Sequence, residues 1–243
     1  MLSSNPNFLM QSIFSFFSIF TVRLVFSMNF IYQTIFIFIG IILSGLLFIR
    51  KDNPNYLKAF CPFLTLGLSV EYIANFLATK SIHTLPIYNI FGVIEFCFYL
   101  WVFYNIIKNR IAKKVITGLF VLFPAISFLN ILFLQGINNF NSITYSIGCL
   151  MIIFLCVYYF LELFRTQIYL RLSNDPAFWI CTALLFYYCV SFPVFVSTNL
   201  MKHFTHKLGE LIAFVLMIMN IVLYSLFCVA FVCQLKFKKE LSV

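Results

Sequence analysis

From residue 29 to residue 234 the chain is a succession of apolar runs, each about 20 residues long and each closed by a short polar or charged break. At a helical rise of about 1.5 Å per residue, such a run matches a hydrocarbon layer ~30 Å thick. Seven runs are predicted to be helical, at 29–49, 56–78, 86–107, 113–135, 142–164, 176–198 and 208–234. The residue balance leaves no soluble alternative. Hydrophobic residues make up 63%, charged residues 9%, and the mean hydropathy is +1.02, whereas soluble domains carry about a quarter charged residues. Chemistry must therefore sit among the helices or in short loops.

The expected fold is all-α, an integral membrane bundle of seven transmembrane helices over 28–236, followed by a short basic tail, 237–243. Short connections place helices that follow one another side by side. Local signals support the boundaries: Asn55 ahead of the second run, Pro86 opening the third, Asn141 and Ser142 the fifth, Asp175 and Pro176 the sixth. Pro124 and Pro193 fall inside the fourth and sixth runs, where a missing amide and a ring clash bend a helix. Residues 1–27 are apolar from Phe8 to Phe26 but have no connector before the first run. They read as a leader, an interfacial segment or, preferably, an upstream extension of a start at Met28.

The formal net charge of +9 is informative through its distribution. Four of the 16 Lys and Arg residues, Arg23, Lys80, Lys202 and Lys207, fall on one side of the expected bundle; the other 12 fall on the opposite side. Excess basic charge marks the cytoplasmic face. This puts the amino-terminal side outside, the carboxy-terminus in the cytoplasm, and the uncharged loop 135–141 outside. With the basic residues at helix ends and the aromatic residues spread through every run, no nucleic-acid surface is indicated. The eight cysteines lie in or beside apolar runs and read as packing residues.

An ionisable side chain in lipid is costly, about 2.5–3.5 kcal/mol on insertion scales, so acids within the runs are the first candidates for function. Glu71 in the second run and Glu95 in the third are expected about 10–13 Å below the outer helix ends, facing one another. Asn75 shares the Glu71 face, and Tyr88 and Tyr99 share the Glu95 face. Tyr32 and Gln33 in the first run, with Asn220 and Tyr224 in the seventh, extend the patch. Such acids can serve as neutral interhelical hydrogen-bonding groups, as a ligand- or proton-binding centre, or as an acid–base pair. Glu162 is expected to pair with Arg165 one turn on, and Trp179 to anchor the sixth helix at the interface. His203, His206 and Glu210, with His83, form a weak candidate metal group; a solvated His and Lys rim is the stronger reading.

The phrases YNIFGVIEF, GLSVEYIANF and DPAFWICTALLFYY resemble uncharacterised seven-helix membrane proteins of Bacteroidetes-type bacteria, over about Met28 to Phe237. The resemblance implies a multi-pass protein of a bacterial inner membrane and no established activity or site. Better-known seven-helix families fit less well. A retinal protein needs a lysine inside its last helix, and 208–234 contains none. The third and seventh helices end in NIIKNR and MNIVLY rather than in the receptor motifs of G-protein-coupled receptors. Ceramidase-type and adiponectin-receptor-type hydrolases need more membrane histidines than the three present.

The leading functional expectation is non-enzymatic and without a cofactor. It is a sensor or accessory protein that binds a small or lipid-like ligand in the outer half of the bundle and acts through a separate cytoplasmic or membrane signalling partner. A proton- or cation-coupled transporter is the first alternative, and an intramembrane hydrolase using Glu71 and Glu95 as acid and base the second.

Overall fold

The computed structural model describes residues 34–50, 52–80, 82–137, 139–165, 174–200 and 206–240, with backbone alone for 198–200, 206–210 and 237–240. Residues 1–27 therefore lie outside the described residues, as do Tyr32 and Gln33. Among the described residues there are seven helices and no strand. They are α1 (Thr34–Ile49), α2 (Asn55–Thr79), α3 (Leu85–Ile106), α4 (Arg110–Asn130), α5 (Ser142–Arg165), α6 (Pro176–Leu200) and α7 (His206–Glu240). The last five residues of α4's rod, Ile131–Gln135, wind into a π-helical turn that stops at Gly136 with φ 74°, a backbone setting open to glycine at little cost. Six helices, α2 to α7, are long and apolar enough to cross a membrane.

Several helix ends follow directly from local chemistry. Asp175 Oδ1 accepts the Ala177 amide at 3.0 Å and caps α6, and Pro86 sits in the first turn of α3. α4 starts earlier than the apolar run implies because Asn109 Oδ1 accepts from Ile111 N and Ala112 N, which extends the helix through polar residues. Asn55 opens α2 without acting as a cap: Pro54 holds that position and makes no side-chain capping bond. A third proline, Pro62, lies inside α2, alongside Pro124 in α4 and Pro193 in α6.

Consecutive helices pack together from α2 through α7, and α3 also packs on α5. α1 lies against α2 and α7. Gly40 faces Leu64 and Cys228, and the Cys228 thiol lies 3.9 Å from the Phe36 carbonyl. Phe60 of α2 meets Phe227 and Phe231 of α7 edge-on at 5.1 and 5.5 Å between ring centres, and Phe63 stacks on Phe98 of α3 at 3.9 Å. Phe96 of α3 reaches Phe123 of α4, Tyr145 of α5 and Tyr188 of α6. Because lipid is as apolar as a core side chain, this association rests on close packing rather than on burial from water. Gly148 of α5 shows how close: a β-carbon there would stand 2.5 Å from the Phe96 ring. The outward faces remain apolar, with Phe38, Val121, Phe133, Phe154 and Phe164 exposed, as a lipid-facing surface requires.

The helix ends that carry most of the basic residues are tied by polar contacts. Asn53, buried in the α1–α2 connection, donates to the Leu47 carbonyl at 2.9 Å and accepts from Gln234 of α7 at 3.3 Å. The Tyr159 hydroxyl donates to Asp175 Oδ2 at 2.9 Å. Glu162, one turn from Arg165, accepts from the Lys108 and Asn109 backbone amides at 2.9–3.2 Å. It thus holds the α3–α4 connection against the end of α5. Trp179 is half-buried, with its ring edge-on to Phe178.

Candidate functional site

The central position of α3 places Glu95 among four helices. Glu95 lies midway along α3, deeper than an outer-half position, while Glu71 lies nearer the Thr79 end of α2. The Tyr188 hydroxyl of α6 donates to Glu95 Oε1 at 3.0 Å. Tyr88, expected beside Glu95, instead donates across to Glu71 Oε2 at 3.3 Å. The two carboxyl groups are within electrostatic reach of each other, each steadied by a phenol from a neighbouring helix.

Four further tyrosines surround Glu95. Tyr99 of α3, Tyr145 of α5, Tyr187 of α6 and Tyr224 of α7 all lie within its electrostatic reach. The Tyr188 ring meets Tyr99 at 6.1 Å and Tyr187 at 5.1 Å, both edge-on, an arrangement that aromatic quadrupoles favour. Tyr99 and Tyr188 are sealed, 2% and 0% exposed. Glu95, Tyr145 and Tyr224 are half-buried. The Ser191 hydroxyl of α6, fully buried beside the Tyr187 hydroxyl, has no hydrogen-bond partner of good geometry among the described residues.

Neither α3 nor α6 contains a Lys, Arg or His, and α5 has only Arg165 in its last turn. A buried carboxyl without a fixed counter-charge can hold a proton or receive a cation. Both options keep the cost of burial low.

Other expected members of the patch fare differently. Asn75 is exposed, outside the stripe that Ala74 buries, and so is not part of the centre. Asn220 is half-buried on α7, one turn before Tyr224. His203 lies outside the described residues, His206 and Glu210 are described by backbone alone, and His83 is exposed. Among the described residues no group of three or more His, Cys, Asp and Glu side chains could hold a metal ion.

Sequence reasoning missed Tyr145, Tyr187 and Tyr188. Their signal was the pair of adjacent tyrosines followed by Ser191 one turn later, but nothing local says which helix such a face meets.

A second polar cluster, also unforeseen, closes the α4–α5 connection. Asn89 of α3 donates to the Asn139 carbonyl at 2.8 Å and accepts the Asn141 amide at 2.9 Å. The Asn130 side-chain amide nitrogen lies within hydrogen-bond distance of Gln135 Oε1 at 2.8 Å, Thr144 Oγ1 at 3.0 Å and Asn141 Oδ1. Asn141 in turn donates to Ser127 Oγ at 3.0 Å. A cavity of about 10 Å³ between Gly92, Ser127, Asn141 and Thr144 is on the scale of one water molecule. The cluster satisfies backbone exposed by the π-helical turn and holds a loop, which is a structural task. Compared with protein-family models, with curated proteins and with solved structures, the chain matches none.

Proposed function

We propose that the chain is a seven-span protein of a bacterial inner membrane, with its amino-terminal side outside and its carboxy-terminus in the cytoplasm. In this reading it binds a small or lipid-like ligand within the bundle and acts, as a sensor or accessory protein, through a separate partner. The observation that carries the reading is Glu95, enclosed by α3, α5, α6 and α7, hydrogen-bonded to Tyr188 and without a basic partner on α3 or α6. An acid without a fixed counter-charge where several helices meet is costly to bury, and a bound ligand is one way to offset that cost. The test is a structure of the full chain in lipid nanodiscs, prepared without added ligand. A co-purified molecule against Glu95 in the wild-type protein, and its loss in Glu95→Gln, is the expected result. A tightly closed centre identical in both proteins would count against ligand binding.

A proton- or cation-coupled transporter is the second reading. It is favoured by prolines inside α2, α4 and α6 and by the π-helical turn that follows α4, places where a helix lacks part of its hydrogen-bond ladder and can yield. Flux into proteoliposomes that depends on Glu95 separates transport from sensing.

A further inference from the structure

The helix ends that carry most of the basic residues border a cavity of about 260 Å³. It lies between the starts of α2 and α6 and the ends of α3 and α5, and Tyr56, Asn105, Lys108, Tyr159, Glu162 and Asp175 supply its polar lining. All four helices are long and apolar enough to cross a membrane, so a cavity at their ends sits at the depth of lipid headgroups. Ligand sites commonly measure about 300–1,000 Å³, and this one suits a small occupant. Glu95, midway along α3, takes no part in its lining.

The fixed groups around the cavity are mostly acceptors. Asp175 takes one hydrogen bond on each carboxyl oxygen, from the Ala177 amide at 3.0 Å and the Tyr159 hydroxyl at 2.9 Å. Both donors are neutral, and a carboxylate has lone pairs for about twice as many bonds. Glu162 is set in place by the Lys108 and Asn109 backbone amides. Asn105 donates its amide nitrogen to the Trp101 carbonyl at 2.7 Å, and its oxygen is still able to accept. Among the described residues Lys108 is the one cation of the lining. Two carboxylates beside one ammonium disfavour a ligand that is only anionic. They favour an N–H-bearing cation, which can make charge-assisted hydrogen bonds to them.

We propose that this cavity binds a phosphoethanolamine group, a primary ammonium joined by a short chain to a phosphate. The ammonium meets the oxygens of Asp175, Glu162 and Asn105, and the phosphate meets Lys108. A trimethylated ammonium has no N–H to donate and forgoes those bonds, so phosphocholine is a poor substitute. The group can come from a lipid in the adjoining leaflet or from a soluble phosphodiester. This is a second site, beyond the one proposed around Glu95, and it stands or falls separately.

The test follows the melting temperature of the full chain in phosphatidylcholine nanodiscs. In one arm glycerophosphoethanolamine is titrated in, with glycerophosphocholine and glycerophosphoglycerol as comparisons. In the other, phosphatidylethanolamine replaces a rising share of the bilayer lipid. A ligand that binds only the folded state raises the melting temperature in a saturable way. The ethanolamine compound should do so in at least one arm, while the choline and glycerol compounds do not. A response to the soluble compound shows a site open to water, and a response to the lipid alone assigns the headgroup as the source. Asp175→Asn keeps an oxygen to cap α6 and should weaken the apparent affinity roughly 10-fold or more, the scale of a hydrogen bond to a charged group. Lys108→Ala trims an exposed side chain and should weaken it several-fold. It carries the test if Asp175→Asn fails to elute as a folded species. Equal stabilisation by the choline or the glycerol compound overturns the proposal. So does the absence of a saturable response in both arms, or a response unchanged in both variants. The reading of the Glu95 centre is decided by a different observation, the molecule against Glu95 and its loss in Glu95→Gln.

Discussion

The Tyr188 hydroxyl donates to the Glu95 carboxyl at 3.0 Å and joins the middle of α3 to α6. The two residues lie 93 positions apart in the chain, and their bond makes one polar centre out of helices that otherwise meet through apolar contacts. Stability at this point should be sensitive to single atoms.

Tyr188→Phe removes only the donor, so it should cost about 1–2 kcal/mol, the usual penalty for leaving a buried acceptor without its partner. Tyr88→Phe, whose 3.3 Å bond to Glu71 is only part-buried, should cost less than about 1 kcal/mol. Thermal unfolding of both variants in the same detergent compares them. An equal loss in the two would show that the Glu95 centre is no more tightly built than its neighbour.

Gly148→Ala should destabilise the protein by about 1–3 kcal/mol, because the added methyl meets the Phe96 ring and neither helix can retreat freely. Gly118 is the internal control, since a β-carbon there meets nothing within 4 Å. Gly118→Ala should be neutral or raise stability by up to about 1 kcal/mol through helix propensity. The same melting assay reads both.

Asp175→Ala removes the cap of α6 and the acceptor of the Tyr159 hydroxyl together. The expected loss is about 1–3 kcal/mol, and Asp175→Asn should recover most of it because an amide oxygen still caps. Full recovery by Tyr159→Phe in the alanine background would assign the loss to the orphaned phenol rather than to the cap.

The 12-to-4 distribution of basic residues predicts that a cytoplasmic reporter fused after Val243 is active and that a phosphatase fused at Asn139 is active. Phosphatase activity at Val243 alone would invert the orientation proposed above.

The sequence alone determined the seven helices and most of their ends. Apolar length, prolines and charged breaks are local properties, and lipid allows little else to cross it than a helix whose backbone bonds are internal. It also singled out Glu71 and Glu95, because the cost of an acid in hydrocarbon belongs to the residue before any partner is known. What surrounds those acids was decided only by the tertiary structure. Tyr72 is 54% exposed and Tyr188 is 0% exposed, yet both are tyrosines in apolar helices, because both faces of a membrane helix are apolar and hydropathy does not tell the inner face from the outer. For the same reason Asn75 was placed in the centre and lies exposed, while Tyr145, Tyr187 and Tyr188 were passed over. Glu162 was matched to Arg165, its neighbour on the helix, and nothing local announced that its carboxyl also accepts from backbone amides 53 and 54 residues away. A contact of that kind is set by how helices pack, and packing is written in shape shared between distant segments rather than in any one of them.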